Sequence, residues 1–545
     1  MKKITLTLLS IIFSLQTFSQ APDWLWVKNA GDNYTTEGRS VATDANGNVY
    51  ATGYFKGPVL TIGSIPLTNI GAGKEIFIAK YDSSGNVLWA RSAGGYSDDE
   101  GVCTTTDING NVYVVGYFHS SFCIVGTDTL FNYGMFIIKY DENGNKLWAK
   151  DTPGYYDLAN GVATDANGNV YVTGEFSGFL VFGSDTLVSD TVSVADLFLL
   201  KYDSLGNELW AKGSGGNCHD KGYGISVDAS GNICMIGNFY SDTLILGSTI
   251  LIGNGSLNPY DIFIAKYDSS GNVLWAKKIG GNSTDLAGGI TTDGMNNIFI
   301  TGLCRSSTVS FGSFTLAGVG VFTAKYDPSG NIQWAKKTGN GESLSSISLD
   351  VNGNVLITGS FYGSISFGSI TLTTPGIFYL FVAKYDASGN ALWAKKVGNT
   401  QGTHANSIST DFSGSAYVTG WTSDDTLAFD SDTSFKPGGG YYFFLAKLGP
   451  QAVGINEPTN ASNVSLFPNP ATTEVKINFG KAARCNVQLC NTLGECVMSK
   501  ALTPNPSPAG EGSASIDVSK FVPGIYFITV TDEQGNKIVR KVVKM

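Results

Sequence analysis

The chain has 545 residues and a net charge of −10, and only 15% of its residues are charged against a usual level of about 25%. With 68 glycines, 12% aromatic residues and no basic patch to neutralise phosphates, its composition speaks for an all-β protein and against nucleic-acid or anionic-membrane partners. The length would allow several domains, but an internal repeat of about 60 residues overrides that reading.

Residues 1–20 have the layout of a secretory signal peptide. Lys2 and Lys3 supply the positive start, Ile4 to Phe18 the apolar segment, and Thr17 and Ser19 the small residues before cleavage at Gln20 or Ala21. The apolar part is short for a membrane span, and no other stretch approaches about 18 uninterrupted apolar residues, so no transmembrane segment is expected.

From residue 21 to residue 449 two motifs alternate. One is KYDSSGNVLWAK, as at Lys266 to Lys277, with full copies beginning at Lys80, Lys139, Lys201, Lys266, Lys325 and Lys384. The other is TDANGNVYVTGEF, Thr164 to Phe176, with relatives starting at Asp44, Asp107, Asp165, Asp228, Asp293, Asp350 and Asp411. A shorter segment, FGSDTL at Phe182 to Leu187, sits between them. Both long motifs place Gly three residues after Asp, which suits a three-residue hairpin loop whose last residue is left-handed. Two hairpins per unit give four strands, for example Ile225 to Val227, Ile233 to Gly237, Ile262 to Tyr267 and Val273 to Lys277. Strands such as Ile262-Phe263-Ile264-Ala265 are apolar on both faces, so each sheet must be covered on both sides, as in radially stacked β-propeller blades.

The blade number follows from the ends of this region. Trp26, Trp89, Trp148, Trp210, Trp275, Trp334 and Trp393 mark the outer motif, yet the last unit stops at Leu448 without its own Trp strand. FFLAKL, Phe443 to Leu448, and WLWVK, Trp24 to Lys28, are the two halves of one motif copy. The expected fold is therefore a seven-bladed β-propeller closed by the N-terminal strand. DANGNVYVTG and KYDSSGNVLWAK resemble the repeats of the SBBP (seven-bladed β-propeller) family over about Trp24 to Leu448, a resemblance that implies the fold and no agreed activity.

Residues 450–462 read as a linker, and 463–545 as a separate small β-sandwich of short strands broken by Gly and Pro. Its Pro468-Asn469-Pro470 turn, Leu493-Gly494-Glu495, Pro523-Gly524-Ile525-Tyr526 and basic tail with Lys541 and Lys544 resemble the C-terminal sorting domain of the type IX secretion system of Bacteroidetes. That resemblance implies the secretion machinery at the outer membrane as partner, and passage through the periplasm to the cell surface or the medium. Ala501 to Ser513 reads as a flexible Pro-rich insertion, and Cys490 and Cys496 as residues that sit opposite one another across a hairpin. The other cysteines fall where sister repeats carry small or apolar residues, Cys103 matching Ser40 and Gly161, so they read as packed thiols.

No nucleophile elbow, phosphate loop or zinc spacing appears, His119, His219 and His404 share no ligand pattern, and no cofactor is expected. Asp44, Asn46 and Asn48 alternate as calcium ligands do, but an Asp capping its own turn explains a string present on two hairpins of nearly every unit. Eight residues before each motif Asp stand Thr36, Asp99, Asp157, Asp220, Asp285, Glu342 and Thr403. In a closed ring they would encircle one channel opening as a ligand-binding set, with the plainer alternative that each caps its loop. If they converge, repulsion should raise some of their pKa values. Tyr34, Tyr96, Tyr155 and Tyr156 in the same connections suit stacking on sugars or peptide side chains. The expected function is a secreted or surface binding module for a glycan or protein. The alternatives are a polysaccharide-degrading hydrolase or lyase with its site in the funnel, and a structural spacer without ligand.

Overall fold

Each Asp-x-x-Gly-Asn segment folds into a hairpin turn that its own aspartate builds. Asp44 Oδ1 accepts the backbone N–H groups of Asn46 and Asn48, both at 2.9 Å, and Oδ2 accepts the Asn48 side-chain amide at 2.7 Å. The Gly47 N–H donates to the Asp44 carbonyl at 3.0 Å, with Gly47 at a φ of 78° that a β-carbon would penalise. Asp268 makes the same three bonds in an outer hairpin. In one turn Asn296 replaces the glycine at a φ of 64°, a region Asn tolerates. This is the turn-capping geometry expected from the motif.

The computed structural model describes residues 21–449 apart from 32–33, 190–193, 254–258, 340–345, 425, 431 and 436–439. Beyond these it describes 464–467, 471–479, 485–491, 496–502, 505–506, 512–521, 524–532 and 537–544. The expected signal peptide 1–20 and linker 450–462 lie outside the described residues.

Among the described residues, seven sheets share one four-strand plan. Their first strands are Thr36–Thr43, Asp99–Thr106, Gly154–Thr164, Asp220–Val227, Asp285–Thr292, Ser346–Leu349 and Thr403–Thr410. Each first strand packs against that of the next sheet, and Thr403–Thr410 packs against Thr36–Thr43. The third strands Glu75–Tyr81, Asp261–Tyr267 and Tyr442–Leu448 are buried along their whole length, as strands apolar on both faces must be. In the seventh sheet the outermost strand is Trp24–Ala30, antiparallel to Tyr442–Leu448, with Trp26 opposite Lys447 and Asn29 opposite Phe444. The FGSDTL segment turns back on itself as a short hairpin, Phe182 opposite Asp185.

One contact recurs at the junctions between sheets. Trp89 Nε1 and Lys80 Nζ both donate to the Glu142 carbonyl, in the outer turn of the following sheet, at 3.0 and 2.9 Å. Trp148 and Lys139 converge on the Ser204 carbonyl in the same way, and Trp275 and Lys266 on that of Pro328. Across the chain ends, Trp26 and Lys447 meet on the Ser83 carbonyl at 3.2 and 2.9 Å. The Trp26 indole lies over Gly85, where an added β-carbon would stand 3.1 Å from the ring. The first strands add a second set of links: Thr43 Oγ1 donates to the Thr410 carbonyl at 2.9 Å, Thr106 Oγ1 to that of Thr43 at 2.9 Å, and Thr164 Oγ1 to that of Thr106 at 3.0 Å. The split seventh sheet has no outer turn to offer the sixth, and the buried Trp393 Nε1 finds no acceptor among the described residues.

The chain divides into two compact units, residues 1–451 and 452–545. In the second, Val464–Phe467, Glu474–Phe479, Gly512–Asp517 and Asn505–Pro506 form one sheet, and Cys496–Leu502, Cys485–Asn491, Gly524–Asp532 and Lys537–Lys544 another. Val475, Ile477, Val487, Leu489 and Ile528 are buried in their common core. The final hairpin pairs Gly524 with Lys544 and Phe527 with Lys541, and Tyr526 is buried. Pro468, Asn469, Pro470, Gly494 and Pro523 lie outside the described residues. Within the Pro-rich stretch, Asn505–Pro506 pairs with Gly512 and Ser513, while 503–504 and 507–511 are not described. Cys490 and Cys496 are register partners, and Cys496 is a free thiol, as are Cys103, Cys123, Cys218, Cys234 and Cys304.

Removing the indole that joins the chain ends should cost more than removing an exposed side chain from an outer strand. Trp26→Ala is expected to lower stability by about 3–5 kcal/mol, as large buried truncations do, measured by urea unfolding. Leu274→Ala, at a residue half exposed to solvent, is expected to change it by less than about 0.5 kcal/mol. Equal unfolding midpoints for the two variants would contradict this account of the junction.

Candidate functional site

Six of the positions eight residues before a motif Asp are described, and all six are buried and hydrogen-bonded. Asp99 Oδ2 accepts the Gly95 N–H at 2.6 Å and the Ser120 hydroxyl at 2.8 Å, and Oδ1 accepts the His119 and Ser120 N–H groups. Asp220 holds Tyr240 and Ser241, and Asp285 holds Gly281, Arg305 and Ser306, by the same plan. Asp157 accepts the Thr152 hydroxyl, Thr403 donates to Asp424 at 2.9 Å, and the Thr36 N–H donates to the Tyr441 carbonyl at 2.9 Å. Glu342 lies outside the described residues. None of the described six lines the central cavity. The four aspartates and Thr403 thus bond within or beside the connections that carry them.

Their pKa values do rise, but burial is the main cause. Desolvation brings Asp99 and Asp220 to about 6 and Asp157 to about 7, against the pull of the donors that bond them, and raises Asp285. Beside Asp99, Glu75 is pushed to about 8, first by burial and then by the Asp99 charge.

The cavity itself, about 530 Å³, is enclosed by residues from all seven first strands. What turns side chains toward it is a β-bulge, which leaves one residue out of the ladder and re-aims it. The register of the first strands with their neighbours skips Arg39, Val102, Asn160, Tyr223, Gly288 with Gly289, and Asn406. All of these line the cavity. The bulge brings a carbonyl so close to the neighbouring strand that only glycine fits there: a β-carbon on Gly53 would meet the Glu37 carbonyl oxygen at 1.9 Å. The repeated Thr-Gly of the second motif is thus the partner of the bulge.

At one mouth of the cavity the side chains form a charge network. Arg39 Nε lies 2.5 Å from Glu100 Oε1 and Arg39 Nη1 3.4 Å from Glu37 Oε2, while Lys74 Nζ lies 2.6 Å from Glu100 Oε2. The Tyr54 hydroxyl donates to Glu37 at 2.7 Å and the Tyr117 hydroxyl to Glu100 at 3.0 Å. Burial works to lower the Arg39 pKa, but Glu100 and Glu37 outweigh it and the net shift is upward. Burial and the adjacent glutamates push both tyrosines up.

Two aromatic clusters stand on these connections, one of them joined to the network through Tyr117. His119 stacks on Tyr133 at 4.9 Å and 11° and contacts Tyr117 and Tyr156; His404 stacks on Trp421 at 4.1 Å, between Phe378 and Tyr441. Burial lowers the His404 pKa to about 4, so at neutral pH it is an uncharged ring within the stack. Tyr34, Tyr96 and Tyr155 are exposed. No group of three or more His, Cys, Asp or Glu side chains among the described residues is placed to hold a metal ion.

Arg39, Asn160, Tyr223 and Asn406 do not stand out as residues that recur with the repeat. The signal that finds them is the opposite one: at the bulge position the units differ, whereas eight residues before the motif Asp they nearly agree.

A carboxyl whose folded pKa lies above its unfolded value binds more protons when folded, so the stability it contributes is present at low pH and lost as the pH rises through the folded value. His404 works in the other direction, but only below its unfolded value of about 6.5. Between about pH 6.5 and 8, where Asp157 and Glu75 titrate, the melting temperature is therefore expected to fall, and Glu75→Gln to flatten the fall. A profile that rises over this range would show that these carboxyls are not buried as described.

Comparisons with known proteins bear on both units. Residues 25–54 match the family model described as beta-propeller repeat, and residues 465–545 that of the secretion system C-terminal sorting domain. An uncharacterised WD repeat-containing protein, L264 of Acanthamoeba polyphaga mimivirus, is 28% identical over 517 residues, covering 76% of this chain and 37% of its own. Regulatory protein FlaEY of Caulobacter vibrioides is 22% identical over 325 residues, covering 56% and 34%. The chain thus spans about a third of the length of these curated relatives. Among solved structures it is similar to the Pan2 WD40 domain of Neurospora crassa, at 9% identity and a TM-score of 0.36 over 75% of this chain and 89% of that one. A gluconolactonase of Xanthomonas campestris is similar at 10% identity and a TM-score of 0.31, over 78% and 88%. These structural likenesses are too distant to bear on activity. Among the described residues no helix is long and apolar enough to cross a membrane. The chain joins an all-β, propeller-like unit carrying a beta-propeller repeat to a secretion system C-terminal sorting domain.

Proposed function

We propose that this protein is an exported binding module: a seven-bladed propeller, closed by its N-terminal strand, that takes its ligand in the cavity between its first strands. Residues 1–20 act as signal peptide, and 463–545 direct passage through the periplasm by type IX secretion to the surface or the medium. Seven sheets of one plan, the pairing of Trp24–Ala30 with Tyr442–Leu448 and the meeting of Trp26 and Lys447 on Ser83 support the closed ring. The sorting-domain match supports the route.

The observation that carries the binding role is the contrast between junctions and cavity. Residues that hold the sheets together repeat from unit to unit, while those at the bulges vary: Arg39, Val102, Asn160, Tyr223 and Gly288 are five different residue types, and only Asn recurs, at Asn406. A ring selected for closure alone has no use for so varied a set of side chains at its bulges. A cavity shaped for an asymmetric ligand does.

Deleting residues 465–545 is expected to leave the protein in the periplasm, and surface protein at the undeleted level would refute the export reading. The exported protein, screened against immobilised polysaccharides and peptides beside a product assay on the same probes, is expected to retain one class without converting it. Product formation on any of them would replace the binding reading with an enzymatic one.

A further inference from the structure

Resting on that reading, we propose that the ligand is an uncharged glycan, one sugar of which enters the cavity against Arg39, Glu100, Asn160 and Asn406 while the chain lies along the aromatic mouth. The first argument is charge. Arg39 and Lys74 face Glu37 and Glu100, two cations against two anions, in direct contact. An anionic ligand would draw Arg39 away from Glu100, which is almost fully buried, and a cationic one would draw Glu100 away from Arg39. Breaking a buried pair by taking one partner is strongly unfavourable. A neutral ligand can join the network without breaking it.

The second argument is the kind of bonding left over. A guanidinium carries five N–H donors, and the Arg39 side chain remains a third exposed while paired. Asn160 gives one N–H to the Gly222 carbonyl at 3.0 Å and Asn406 one to that of Gly38 at 2.8 Å, which fixes both amides at the cavity wall with a second N–H each. Ser407 accepts the N–H group of Val41, so its hydroxyl has a proton to give, while Ser40 accepts that of Thr104 and also bonds the Cys103 sulfur. Donors from the seventh, first and third sheets and the Glu100 carboxylate of the second thus gather on the polar side of the cavity. A hydroxyl group donates and accepts at once, and a sugar presents several in a row.

The third argument is shape. Across from the polar side stand Tyr223, Ile225, Gly288, Gly289 and Ile290, an apolar wall opened by glycines and faced by one aromatic ring. Sugars present a C–H face as well as hydroxyl edges, and an aromatic ring suits the first as the amides suit the second. The volume of about 530 Å³ falls in the usual range for small-molecule sites. At the mouth, Tyr133 and Tyr441 are about 40% exposed at the ends of their stacks, available to further sugar rings.

The test is calorimetric titration of the exported full-length protein with four probes: uncharged hexose and pentose oligosaccharides, uronic acid oligosaccharides, an acidic peptide and a basic peptide. Binding of an uncharged oligosaccharide is expected, with an affinity that does not change between low and high salt. Tyr223→Ala should weaken it by about tenfold or more. Val102→Trp, which places an indole in the cavity at a bulge, should abolish it, both variants keeping the far-UV circular dichroism spectrum of the parent. Binding only of a uronic acid oligosaccharide or a peptide, weakened by salt, would overturn the neutral-glycan assignment and leave the binding module standing. Binding of no probe, or conversion of an oligosaccharide, would overturn both. Uncharged-sugar binding that survives Val102→Trp would overturn the assignment to this cavity.

Discussion

The structure depends on one hydrogen-bonded junction: a Trp indole N–H and a Lys ammonium of one sheet meeting on a single carbonyl oxygen in the outer turn of the next. A carbonyl has two lone pairs, and here both are used by donors that come from a different sheet. The turn is presented rigidly because its Asp has already satisfied the N–H groups on its inner side. Packing, turn chemistry and sheet order are coupled through that oxygen. The same residues that make a hairpin locally make it a socket for its neighbour, so local and long-range preferences agree, which is the mark of a sequence with little frustration.

Much of this was legible in the letters because each link recurs with the repeat. Asp, Gly and Asn at fixed spacing announce the turn, and the hairpins stand where that spacing puts them, Asn296 included as the one replacement for glycine. The Trp of one unit and the turn of the next stand 53 to 57 residues apart, close to the repeat length, so their contact inherits the period. The split copy between Trp24 and Leu448 pointed to the pairing of the chain ends for the same reason. The bulge was not legible. It needs a skipped residue on one strand and a glycine on the other, and a Thr-Gly pair in a strand reads equally as a plain weakness of the ladder.

The candidate site divided along the same line. A search for side chains that repeat found Asp99, Asp157, Asp220 and Asp285, which are buried props of the connections and owe their raised pKa values to desolvation more than to one another. Repetition in a ring reports what every junction needs. The positions where the units vary most are the bulged ones, which leave the ladder and line the cavity.

The place of the last propeller strand bears on how the protein withstands force. Tyr442–Leu448 is flanked on both edges, by Ala416–Thr422 and by Trp24–Ala30, so the segment leading to the sorting unit departs from the interior of a sheet and not from its rim. Tension along that segment, from an export apparatus or a surface anchor, would load two hydrogen-bonded ladders in shear at the same time instead of peeling one from its end. Cutting the tether leaves both ladders intact.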